Sequence, residues 1–372
     1  MGRIKPSAYE ARMTERWQPH DGAALAPADS VPVPDPDLPE LAELRALVAQ
    51  GQPLLRMRTL CDVPMGAATL PVSVFTLGSE RPDAPVAAFF GGVHGLERIG
   101  SQVVLAYLRS LVMRLAWDDS LHRLLEDVRL VFMPLVNPGG VWLGTRANPA
   151  GVDLMRSAPV EAEERVASLV GGHRISASLP WYRGAAGAPM PPESAALCQV
   201  VEDEILGHPF AMAVDCHSGF GLADRLWFPM ACSRTPIEHL PELHAFGEIL
   251  DHSLLHHRYV LEPQSQQYLA HGDLWDHLYR RACEHGPAPF LPLTLEMGSW
   301  LWVKKNPWQL FSRGGLFNPG LPHRQQRVLR RHVNGLDFVT RAVASWARWA
   351  PQGAAREAHR AQALQRWYRS AR

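Results

Sequence analysis

Long apolar runs are missing from this chain. No stretch approaches the roughly 20 consecutive apolar residues that a membrane-spanning helix needs, and the segment from Met1 to His20 has no apolar core of the secretory-signal kind. A cytoplasmic location with no membrane partner is the resulting expectation. Cysteine is sparse as well: Cys61, Cys198, Cys216, Cys232 and Cys283 are scattered without a Cys-x-x-Cys pair. That excludes a disulfide framework and leaves them read as buried thiols. Net charge is absent too, because 37 Lys and Arg cancel 37 Asp and Glu, so no general pull toward nucleic acid or anionic lipid follows. What is present is ordinary globular composition, 47% hydrophobic and 20% charged over 372 residues, enough to bury a large core.

Taken in order, residues 1–55 read as an N-terminal extension with a proline-rich connector around Val31-Pro32-Val33-Pro34-Asp35-Pro36. The spacing of Leu38, Leu41, Leu44, Leu47 and Val48 predicts a packing helix. Strands are predicted at Leu70 to Leu77, Pro85 to Gly92, Asp127 to Val136, Phe210 to Val214 and Leu291 to Leu295, with an apolar-faced helix from Gly100 to Leu115. Strands alternating with helices point to an α/β fold: a mixed, mostly parallel twisted sheet flanked by helices, in a catalytic domain over residues 56–346. Residues 347–372 read as an Arg-rich helical tail whose charges line a solvated face.

Three of the apolar runs deliver chemistry at their carboxyl ends, where functional loops of such sheets collect. The run Ala87 to Phe90 ends in Gly91-Gly92-Val93-His94-Gly95-Leu96-Glu97, the next in Asp215-Cys216-His217, the last in Glu296-Met297-Gly298. A strand-to-helix turn can aim His94 and Glu97 at one point, and catalytic zinc commonly takes two His and one Glu with a fourth position left open. Neighbouring strand residues face opposite ways, so with His217 toward a site Cys216 belongs to the core.

With these residues in order the chain resembles the zinc metallocarboxypeptidase family of the carboxypeptidase A type. Asn137-Pro138-Gly139-Gly140 is similar to its Asn-Pro-Asp-Gly turn, Gly151-Val152-Asp153-Leu154-Met155-Arg156 to its Gly-Val-Asp-x-Asn-Arg segment, and Tyr182-Arg183-Gly184 with Pro192-Glu193 to a further pair of motifs. Tyr268, Gly272, Asp276 and Tyr279 keep the spacing around its mobile tyrosine. The resemblance implies a Zn2+ ion held by His94, Glu97 and His217, with Asp153 behind the first histidine. It implies Glu296 as general base, Arg146 against the oxyanion, Arg156 on a substrate carboxylate, and Tyr268 closing over the substrate. Trp275 stands at a position that helps set side-chain preference. The substrate would be a peptide or an N-acyl amino acid with a free carboxylate.

Two departures qualify the likeness. Met155 stands where the family has Asn, and Leu96 stands between the ligands where it has Arg. The second change brings the turn closer to the deacylase branch of the fold, of the aspartoacylase and succinylglutamate desuccinylase types. The expectation is therefore a zinc-dependent hydrolase of C-terminal peptide or related amide bonds, with a deacylase of N-acyl amino acids and a catalytically silent binding protein as alternatives. His252, His256 and His257 share a helical spacing but are read as surface histidines.

Overall fold

The computed structural model describes residues 38–256 and 258–368. Eight strands among them form one sheet: β1 (Arg56–Met65), β2 (Ala68–Gly78), β3 (Val86–Gly91), β4 (Arg129–Met133), β5 (Ala211–Ser218), β6 (Arg225–Phe228), β7 (Val260–Pro263) and β8 (Phe290–Met297). Their order across the sheet is β1-β2-β4-β3-β5-β8-β6-β7. The centre, β4-β3-β5-β8, is parallel, whereas β1-β2-β4 and β8-β6 pair antiparallel. Parallel strands must be buried on both faces, which is why Val86 to Phe90 are wholly buried.

Two aromatic neighbours show how the layers form. Phe89 meets Tyr107 of α2 (Arg98–Arg114) at 5.2 Å, while Phe90 meets Trp275 of α6 (Leu274–His285) at 5.1 Å. Successive strand side chains point to opposite faces, so these helices cover opposite sides of the sheet. In front of α2 lies α1 (Pro39–Gly51), whose Leu41, Leu44 and Leu47 are buried as their spacing predicts and whose Glu40 pairs with Arg98 at 2.5 Å. Behind it runs α7 (Pro322–Ala344), tied in by Tyr107 and Thr340 hydroxyls 2.7 Å apart. The remaining long helices are α3 (Asp119–Asp127), α4 (Pro192–Glu204), α5 (Leu240–Ser253) and α8 (Gly353–Trp367). Among the described residues, no single helix is long and apolar enough to cross a membrane.

Several expectations change. One continuous core runs from Leu41 to Trp367 and takes in side chains of α1, before residue 56, and of α8, after residue 346. In the tail, α8 lies on α5 with Ala363 and Trp367 buried and much of its other face exposed, and Arg356 donates to Glu242 at 2.7 Å. Apolar side chains inward and arginines on acceptors of α5 explain the basic composition. Arg369 and Arg372 lie outside the described residues, as does the proline-rich connector. Cys283 is exposed and Cys61 half-buried, so only Cys198, Cys216 and Cys232 are the buried thiols expected. His252 closes α5 and His256 lies beyond its end, so the helical spacing of those histidines is not realised, and His257 is outside the described residues.

Candidate metal centre

His94 and Glu97 sit in the turn between β3 and α2, closed by Glu97 N–H donating to His94 C=O at 3.0 Å. That turn is pressed against the Asn137-Pro138-Gly139-Gly140 segment. A Cβ on Gly95 would stand 2.0 Å from the Gly140 carbonyl carbon, so only glycine lets the two turns meet. Asn137 locks them by donating to Val93 C=O at 3.2 Å and accepting from Gly140 N–H at 2.8 Å. His217 reaches the same point from β5, which pairs directly with β3.

There the three side chains converge. His94 Nδ1 is 2.9 Å from Glu97 Oε1, His217 Nδ1 is 3.1 Å from Glu97 Oε2, and the two Nδ1 atoms are 3.2 Å apart. All three are buried. Burial alone would raise the Glu97 pKa, but His94 and His217 outweigh it and hold the carboxyl below its usual range. Ser218 N–H adds a donor to Glu97 Oε2 at 2.9 Å.

The next shell fixes the rings. Asp153 Oδ1 stands 3.0 Å from His94 Nε2. Asp153 is fully buried, yet Arg146 and His94 keep its pKa well below normal. An ionised carboxylate can only accept, so His94 carries its proton on Nε2 and turns the Nδ1 lone pair toward the cluster. Behind His217, Asp215 Oδ2 lies 2.7 Å from Nε2, close but off the hydrogen-bond direction, and it accepts from Trp275 Nε1 at 3.0 Å. Trp275, at the position that the resemblance links to side-chain preference, is 2% exposed and wedged between Phe90 and Asp215. The indole's only polar group donates to Asp215.

Arg146 donates from Nε to Asp153 Oδ2 at 2.8 Å and from Nη1 to Glu97 Oε1 at 3.2 Å. Burial would lower its pKa, but these carboxylates raise it, so the charge is permanent. Glu296 on β8 is the register partner of His217, which sets the two side by side on the same face. Its Oε2 is buried with no hydrogen-bond partner among the described residues. Burial first, and then the Glu97 charge, push its pKa up to about 8.

Arg156 and Tyr268 form the adjoining region. Arg156 donates from Nη2 to Tyr268 Oη at 3.3 Å and from Nη1 to Asp273 Oδ2 at 3.4 Å, while its buried Nε–H lacks a partner among the described residues. Burial raises the Tyr268 pKa, against the lowering pull of Arg156. Gly272, at φ +70°, passes so close that a Cβ would lie 1.9 Å from Arg156 C=O, which accounts for the glycine in that motif. Asp276, from the same motif, is buried in the first turn of α6 and accepts from Ala231 and Cys232 N–H at 2.8 and 2.7 Å. Met155 is buried at 3% exposure. Cys216 faces the core as its alternation with His217 predicts, and burial pushes its thiol pKa well up.

Two positioning residues escaped the sequence reading. Asp215 had a signal, since a residue two before His217 on a strand shares its face. Asn318 had none: it comes from a loop far along the chain, accepts from Ile99 N–H at 3.1 Å and donates to Leu96 C=O at 2.8 Å, pinning the ligand turn.

Two imidazoles and one carboxylate, aimed together at the carboxyl edge of a parallel sheet with an unpartnered carboxylate beside them, are the donor set a zinc-type ion takes. Fold and site define a metal-dependent hydrolase scaffold. The zinc carboxypeptidase family matches residues 64–286, well over half the chain and all three of those donors, and the chain belongs to that family. The match ends before Glu296, whose placement rests on the β5–β8 register.

Solved structures of similar fold include bovine thrombin-activatable fibrinolysis inhibitor in complex with tick carboxypeptidase inhibitor, with a TM-score of 0.58 and 17% identity over 82% of this chain and 95% of that one. Carboxypeptidase A from Helicoverpa armigera gives a TM-score of 0.53 and 16% identity over 78% and 71%. Over 126 residues the chain is 27% identical to Carboxypeptidase D of Drosophila melanogaster, a match that covers 31% of this chain and 9% of that one.

Proposed function

We propose that this chain is a zinc-dependent hydrolase cleaving a C-terminal peptide bond or a related amide, with His94, Glu97 and His217 as ligands and Glu296 as general base. The observation that carries the reading is the free Oε2 of Glu296, buried beside the ligand cluster by the pairing of β8 with β5. When bound, zinc supplies Lewis acidity toward the carbonyl and toward water, and its charge offsets the repulsion between Glu97 and Glu296.

The chain's own residues do the rest. Glu296 takes a proton from the attacking water and returns it to the leaving amine. Arg146, held by Asp153 and Glu97, keeps a fixed positive charge where the carbonyl oxygen becomes negative. Arg156 has donor capacity to spare at Nε and grips the substrate carboxylate with its planar fork. Tyr268, partly buried at the edge of that grip, donates to the substrate backbone.

A second reading, hydrolysis of small N-acyl amino acids, draws support from Met155. Buried next to Arg156, it offers only a thioether where a polar partner for the substrate carboxylate would stand. Zinc-loaded protein assayed on peptides with a free C-terminus, on the same peptides amidated, and on N-acyl amino acids separates the readings. The expected result is turnover of free peptides and loss of it on amidation. Preference for N-acyl amino acids would favour the deacylase, equal turnover of amidated peptides would remove the carboxylate grip, and full zinc without any turnover would leave a binding protein.

A further inference from the structure

A second convergence of metal-competent side chains lies away from the first and shares no residue with it. His244 and Glu248 stand one helical turn apart on α5, so they project from the same face. His359 comes across from α8. The Nδ1 atoms of His244 and His359 are 2.9 Å apart, with the rings inclined at 63°. Glu248 Oε2 is 3.8 Å from His359 Nδ1, and one ligand atom from each of the three residues falls within 4.8 Å of the others. His244 is buried, His359 is half-buried and Glu248 open to solvent, an arrangement that leaves the outer side accessible for entry and for water.

We propose that His244, Glu248 and His359 form a second metal site, for a transition dication of the zinc class, that clips α8 to α5. Two imidazole nitrogens with one carboxylate suit zinc, nickel, copper or cobalt, whereas calcium and magnesium favour all-oxygen sets. Two facing ring nitrogens can share at most one proton, so a cation between them satisfies both lone pairs at once. Arg366 on α8 pairs with Asp251 at 3.7 Å and lies over Trp367 at 5.4 Å. A clip here has something to hold: Trp367 at the end of α8 donates to Leu261 C=O at 2.9 Å, so the helix buttresses the strand that leads to Tyr268.

The test is metal titration of the full chain after stripping, with cobalt read by its visible absorption and zinc by elemental content. The wild type should take two equivalents, His217→Ala one, His359→Gln one, and the double variant none. Added zinc should raise the unfolding temperature of His217→Ala and leave that of the double variant unchanged. Glu248→Gln, on an exposed position that folding does not depend on, should weaken the second equivalent by about tenfold or more. A wild type saturating at one equivalent, a His217→Ala protein taking none, or a Glu248→Gln protein indistinguishable from wild type would each overturn the proposal. None of these outcomes bears on the hydrolase reading, which depends on the first equivalent alone.

Discussion

The ligand cluster and the region around Arg156 lie side by side but are built differently. His94, Glu97, His217 and Glu296 leave the ends of paired strands, and the ligands and Asp153 are held by partners on at least two sides. Arg156 ends a short 3-10 turn (Leu154–Arg156) and Tyr268 and Gly272 come from loops; Arg156 keeps long contacts of 3.3 and 3.4 Å and an idle donor among the described residues. The first arrangement is preorganised for an ion that demands fixed geometry, and the second has room to re-form around a substrate. Different sensitivities follow.

The largest effect is expected in the cluster. His217→Ala should abolish hydrolysis and remove the equivalent of zinc bound there, as read by metal content. Asp153→Asn keeps the shape but frees the His94 tautomer, and should cost about 10–100-fold in zinc affinity or activity. Equal zinc affinity with equal activity would break the contrast, since it would mean the ring needs no orienting.

In the adjoining region Arg156→Lys should act on binding. Losing one limb of a charged hydrogen-bonded pair costs about 1.5–3 kcal/mol, or roughly tenfold or more in KM, with kcat less affected. A fall confined to kcat would put Arg156 with the reacting atoms instead. Trp275→Phe sharpens the boundary: it deprives buried Asp215 of its indole donor and should lower stability by about 1–3 kcal/mol. Side-chain preference across a substrate panel should not move, and a changed ranking would give Trp275 the part in side-chain preference that the resemblance implies.

The smallest effect lies outside both regions. Burial raises the Glu204 pKa, but Arg129 and Arg58 outweigh it and leave it lowered. A lowered carboxylate stabilises above its unfolded pKa and loses that contribution as pH falls through the folded value. Glu204→Gln should therefore cost up to about 1 kcal/mol near neutrality. The gap to wild type should narrow below about pH 4 in denaturant melts; a constant gap would show that charge is not its origin.

The same contrast explains what could be read beforehand. Buried parallel strands write continuous apolar runs, so β3, β5 and β8 and the ligands at their ends stood out in the sequence. Edge strand β1 is largely exposed and mixed in character, and β6 and β7 span four residues each, too little for a period to register. The bond from Trp275 to Asp215 could not be read, because the motif around Tyr268 says which residues are near one another, not what each side chain touches. The packing of α8 on α5 depends on residues more than a hundred positions apart, such as Arg356 and Glu242, a relation no local pattern contains.

The central claim is that one acidic side chain works beside the metal without holding it. Glu296→Gln, measured for zinc content and turnover in the same preparation, tests it most directly. The account predicts unchanged zinc with kcat reduced by about 10²–10⁴-fold. Turnover at the wild-type rate would contradict it.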